Sequence, residues 1–139
     1  MSLHNIDVDF GSIYSNSSRT NGERLWQFSY TINEQKVLIF LKGTDSGINE
    51  KCKSILKHFL DYYPYFLEKV KNLLNDCENS NPHTMYFKND KFAIETISII
   101  DEEYDVVMIS SCKNYLLNTL VHDLNIIDFY FEDISHKNK

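Results

Sequence analysis

Hydrophobic and polar positions alternate most regularly between Leu25 and Leu41. Trp26, Phe28, Tyr30 and Ile32 fall on one face and Gln27, Ser29 and Thr31 on the other, which predicts a half-buried strand with its apolar residues packed together. After the polar turn Asn33-Glu34-Gln35 comes Val37-Leu38-Ile39-Phe40-Leu41, an uninterrupted apolar run of the kind found in strands covered on both faces. The two segments read as a β-hairpin against which the rest of the chain packs.

Residues 6–10 alternate apolar and acidic side chains and predict a first strand, continuing through Ile13 and Tyr14 after a bulge at Gly11; 15–22 then read as a polar loop. Beyond Leu41, Thr44, Asp45 or Ser46 can cap a helix whose apolar face is Ile48, Cys52, Ile55, Leu56, Phe59 and Leu60, with Lys51, Lys53 and Lys57 opposite. Pro64 breaks this period near 61–64. Phe66, Leu67, Val70, Leu73, Leu74 and Cys77 resume it as a second helix, which ends in the turn cluster 79–84. Short strands follow at 93–100, 104–112, 117–124 and 126–132. In the first of them the apolar residues change face between Ile94 and Ile97, as at a bulge. The predicted order is β-β-β-α-α-β-β-β-β: an α+β fold with a largely antiparallel sheet packed on a central helix pair, in one domain spanning 1–139 with 135–139 as a frayed tail.

Composition narrows the class. An apolar fraction of 42% and a charged fraction of 24% suit a folded chain able to bury its own core. No apolar run is long enough to span a bilayer and the first residues do not resemble a secretory signal, so a cytoplasmic location without membrane contact is expected. Cys52, Cys77 and Cys112 are odd in number and widely spaced, which predicts reduced thiols and no zinc site: Cys52 and Cys112 as small buried hydrophobes, Cys77 at a helix end. The net charge of −6 is concentrated late. Residues 1–89 hold ten acidic and ten basic side chains, and 90–139 hold ten and four. Nucleic acid is not the expected ligand, because phosphate contacts need clustered Lys or Arg; a basic protein partner is.

Candidate chemistry is sparse. The four glycines form no phosphate loop, and there is no nucleophile elbow or metalloprotease helix, so no cofactor is expected. Asp101, Glu103 and Asp105 are spaced like the start of a cation loop, but Val106 and Cys112 stand where such a loop needs its glycine and its bidentate acid; an exposed acidic turn is expected instead. His122 and Asp123 are adjacent, which on a strand points them to opposite faces; His122 is expected half-buried beside Leu120 and Leu124. His58 and His83 show no partner in the sequence. Tyr62-Tyr63-Pro64-Tyr65 cannot all face one way on a helix, so one or more of these rings should reach the surface. The residues best suited to bind a basic partner are Asp101, Glu102, Glu103 and Asp105 on a hairpin turn, with Asp128, Tyr130 and Glu132 on the outward face of the last strand.

The layout resembles small bacterial domains of unknown function of the toxin-immunity type. The similarity lies in Phe10-Gly11-x-Ile13 before a loop, Trp26 opening a strand, the run from Val37 to Leu41 before a helical middle, Leu120-Val121-His122-Asp123-Leu124, and Ile127-x-Phe129-x-Phe131-Glu132. It carries no catalytic residues. It implies a non-enzymatic binding protein that occludes the active site of a basic toxin. Two other classes fit the residues: a small cytosolic enzyme with a cleft between helices and sheet, using His122 or a carboxylate, and an accessory domain that self-associates through an open sheet edge.

Overall fold

The computed structural model describes residues 3–4, 13–18, 23–32, 34–44, 46–80, 91–111 and 113–134. Among them nine strands form one sheet: β1 (Leu3–His4), β2 (Ile13–Ser18), β3 (Glu23–Ile32), β4 (Gln35–Thr44), β5 (Gly47–Ile48), β6 (Phe92–Ile99), β7 (Tyr104–Ser110), β8 (Tyr115–His122) and β9 (Asn125–Asp133). A single helix, α1 (Glu50–Ser80), lies between β5 and β6 in the chain. The strands run β1-β2-β3-β4-β6-β7-β8-β9 across the sheet, with β5 paired to the end of β4. All pairings are antiparallel except β4 with β6, the one step that needs a helical crossover.

The α+β class and the mostly antiparallel sheet are as expected; the helix pair and the element order are not, since five described strands precede one helix. Tyr62 leaves helical geometry (φ −124°, ψ 17°) and Pro64 follows two residues later in mid-helix, so the lost N–H and the ring clash kink one helix and do not reverse the chain. Phe59 and Phe66 flank the kink and meet edge to face at 5.2 Å. The helix is capped by Asn49, whose Oδ1 accepts the Cys52 N–H at 3.1 Å, and not by the three earlier candidates. Ser15 to Ser18, expected in a loop, belong to β2. The predicted strand at 6–10, the tail at 135–139, His83 and Cys112 lie outside the described residues.

The core lies between one sheet face and α1. Trp26, Phe28, Val37, Ile39, Leu41, Ile97, Ile99, Val106, Met108, Leu117 and Val121 project inward against Cys52, Leu56, Phe59, Phe66 and Val70 of the helix. Cys52 is buried with a free thiol, which burial pushes above its ordinary pKa. The hairpin of β3 and β4 pairs in register from Glu23↔Thr44 to Ile32↔Gln35. Trp26 anchors its open end by donating from Nε1 to the Thr44 carbonyl at 3.0 Å. Gly43 makes this approach possible, since a Cβ there would stand 2.7 Å from Trp26 Cδ1 and 2.3 Å from the Gly47 carbonyl oxygen.

Two burial expectations for the hairpin change. Tyr30 is 36% exposed, because β2 pairs with β3 only as far as Gln27 and leaves the outer part of that strand bare among the described residues. Leu38 and Phe40 are half-buried, not enclosed: α1 covers one face of β4, and no described element covers the other. The change of face in β6 is a bulge, with the register slipping between Ile94 and Thr96.

Candidate functional site

The uncovered sheet face follows from period-2 alternation carried across aligned strands. One cross-strand row reads Gln27, Phe40, Ser98, Asp105, Leu120, Asp128; the next reads Ser29, Leu38, Thr96, Val107, Asn118, Tyr130. Beyond them Ile109, Leu116 and Glu132 form a third. Each row mixes half-buried apolar side chains with polar ones, a composition unlike the continuous apolar core on the opposite face. At the β6–β9 end the face sinks into a hollow of about 400 Å³ lined by Ser98, Asp105, Val107, Asn118, Leu120, Asp128 and Tyr130. Two features suit it to contact. Tyr130 is 61% exposed, a rigid ring with a polar tip. Asn118 Nδ2 is buried yet donates no hydrogen bond within the protein, leaving a donor for an incoming acceptor.

The seven acidic and aromatic residues expected to act together divide into two groups. Asp105, Asp128, Tyr130 and Glu132 share the outer face, with Asp105 and Asp128 on either side of Leu120 in one row. Asp101, Glu102 and Glu103 sit at the end of the sheet, on the turn between β6 and β7. Glu102 turns towards α1 and pairs with Lys51 at 2.9 Å, which holds its carboxyl below and the Lys51 ammonium above their usual ranges. Asp101 accepts the Glu102 N–H at 2.8 Å. The turn carboxylates therefore do not extend the outer-face group.

A second hollow, of about 300 Å³, opens where α1 meets the two hairpin turns. Lys51, Ser54 and His58 of the helix face Glu102, Tyr104, His122 and Asp123 across it. His58 Nε2 stands 3.7 Å from Asp123 Oδ1, so Asp123 pairs across elements and not with its sequence neighbour. His122 is exposed, contrary to expectation, because β8 ends there and its outer-face position has no cover among the described residues. Leu124 does go inward, at 7% exposure, but from a turn in which Asp123 (φ 50°) and Leu124 (φ 67°) are both left-handed. Such a backbone costs about 1–2 kcal/mol per non-glycine residue, which burial of the leucine offsets. Tyr104, buried beneath this hollow, is pushed up to about 12 by desolvation, with the Asp123 charge adding to the shift.

A cleft between helix and sheet using His122 was among the expectations, but the residues that meet His122 there, Lys51, Ser54, His58 and Glu102, are remote from it in the chain. The local signals were the adjacent His122 and Asp123 and, on one helix face, Ser54 and His58 four apart. The tyrosine cluster was legible: Tyr62 and Tyr65 are 53% and 60% exposed, with the His58 ring tilted against Tyr62 at 5.0 Å and the Lys69 ammonium 4.5 Å over the Tyr65 ring. Among the described residues no group of three His, Cys, Asp or Glu side chains is placed to hold a metal, and no helix is long and apolar enough to cross a membrane. The chain matches no known family model, no curated protein and no solved structure.

Proposed function

We propose that this chain is a non-enzymatic protein-binding module of the immunity type, and that it binds a basic protein, such as a toxin, on the outer face of β6 to β9. The observation that carries the reading is that uncovered face itself, where Val107, Leu120 and Tyr130 alternate with Asp105, Asp128 and Glu132 around the unpartnered Asn118 amide. Apolar area supplies the desolvated centre of an interface, while the carboxylates raise the encounter rate with a cation-rich surface. The late charge imbalance, ten acidic against four basic side chains after residue 89, extends the same attraction over a longer range. A partner purified by affinity capture tests this directly through carboxylate footprinting of the complex. Asp105 and Asp128 should lose reactivity while Glu102 and Asp123 keep theirs; unchanged labelling at Asp105 and Asp128 contradicts the reading.

A second reading, a small enzyme, draws on the His58–Asp123 pair with Ser54 and His122 around the same hollow. Its mark is the reverse footprint, with Asp123 protected by a bound small molecule and the outer face untouched.

A further inference from the structure

We infer that the hollow between α1 and the two hairpin turns binds a small, neutral, planar molecule carrying an amide-type N–H beside a C=O, with Tyr104 donating to the carbonyl and Asp123 accepting from the N–H. The site shares no lining residue with the hollow of the outer face and does not depend on it. Ile55 and Tyr104 line it from the core side, while Ser54, His58, His122 and Asp123 stand exposed around it. Tyr104 is the unusual member. A tyrosine only 3% exposed ordinarily has a partner for its O–H. Its ring meets Phe59 edge to face at 6.0 Å, yet its hydroxyl makes no hydrogen bond among the described residues. Asn118 Nδ2 is the one fully enclosed side-chain polar atom without a partner among the described residues, so the residual exposure of Tyr104 falls on its hydroxyl, which opens into the hollow. Burial keeps this phenol protonated up to about 12, so it stands ready as a donor at physiological pH.

Asp123 stands at the same end of the hollow, since its charge is felt at Tyr104. It is held there in a strained turn. His122↔Asn125 closes a two-residue hairpin in which Asp123 and Leu124 are both left-handed, a place that favours Asn-Gly. Burial compensates Leu124, but the exposed Asp123 side chain gains only a long contact: its Oδ1 is 3.7 Å from His58 Nε2, beyond direct hydrogen-bond length. Strain that local contacts do not offset is characteristic of functional positions. A carboxylate offers about four acceptor sites, so Asp123 can receive an N–H with His58 in place. The charges of the rim also define the ligand. Lys51 and Glu102 are matched at 2.9 Å, and His58 lies beside Asp123. An anion would meet two carboxylates and a cation would meet Lys51, which leaves a neutral molecule as the best fit. The volume of about 300 Å³ is at the lower end for ligand pockets and suits a single ring. A cyclic amide places its N–H and C=O on one ring edge and its apolar body against Ile55.

The test titrates the full chain, isotopically labelled, with 2-pyridone, a single ring bearing both groups, and with N-methyl-2-pyridone, which keeps the ring and carbonyl and loses the N–H. Binding in the hollow predicts amide shifts at Ser54, His58, Tyr104 and Asp123 and none at Asn118 or Tyr130. The N-methyl compound should bind about tenfold more weakly, because the carboxylate loses its donor. Tyr104→Phe keeps the ring against Phe59 and removes only the hydroxyl, and should weaken 2-pyridone by about three- to tenfold within an otherwise native amide spectrum. Asp123→Asn suits the left-handed turn, so the hairpin is retained; with the charge gone, the difference between the two compounds should narrow to about threefold. Equal affinity of the two compounds for the unmodified chain overturns the N–H contact, and undiminished binding to Tyr104→Phe overturns the donor. Absence of shifts with both compounds, or shifts confined to the outer face, overturns the site. The Asp105→Lys, Asp128→Lys chain should bind 2-pyridone as the unmodified chain does, so this outcome and that of the outer-face reading are decided separately.

Discussion

The two faces of this sheet are built from the same strands, yet their residues meet opposite demands. In β8, Leu117, Thr119 and Val121 point to the helix and are buried, while Leu116, Asn118 and Leu120 alternate with them on the uncovered side and stay half-buried. Thr119 is tolerated inside because its hydroxyl donates to the Val106 carbonyl at 2.7 Å, whereas Asn118 outside leaves a donor unused. The buried hydroxyl of Thr119 on the inner face is satisfied by the fold, and the buried Asn118 Nδ2 on the outer face is left for something else. Mutations on the two faces should accordingly separate into changes of stability and changes of binding.

The largest effect belongs to the inner face. Trp26→Ala removes a ring that is 1% exposed together with its bond to Thr44, and should lower the unfolding free energy by about 3–5 kcal/mol in urea titration. An unchanged midpoint would erase the contrast at its source. Gly43→Ala should follow at about 1–3 kcal/mol, since the added methyl meets backbone and a buried ring and not a flexible chain end.

Tyr104 gives the inner face a pH signature. Its pKa rises from 10.0 to about 12 on folding, so the folded state holds the proton more tightly. The stability tied to that proton is fully present below pH 10 and is lost as the pH climbs through 12, a decline on the order of 2–3 kcal/mol. Tyr104→Phe should flatten this alkaline limb; an identical limb in the variant would place the titration elsewhere. The smallest stability effect is expected outside. Reversing Asp105 and Asp128 to Lys should shift unfolding by no more than about 0.5 kcal/mol, because both side chains are exposed.

How much of this could be read in advance depends on the range of the forces involved. The β3–β4 hairpin, the bulge in β6 and the exposed tyrosines of α1 follow from periodicity and local sterics, and each is visible within a few residues. The cover over β4 is not local. Leu38 and Phe40 are as apolar as a doubly buried strand requires, and only the packing of α1 on the opposite face, with no described element over this one, leaves them half-buried. The same limit applies to the carboxylates. Register places Asp105 beside Leu120 and Asp128, and an ion pair with Lys51 takes Glu102 away, but neither partner is near in sequence. His58 found Asp123 across sixty-odd residues by the same kind of tertiary contact.

The central claim, that the outer face binds a basic protein while the inner face holds the fold, is tested most directly by stopped-flow association of a purified partner with the Asp105→Lys, Asp128→Lys double variant. The account predicts association slowed by about tenfold at low salt, converging with the unmodified chain as ionic strength rises, at unchanged stability. Association rates that are equal for the two proteins at every salt concentration would contradict it.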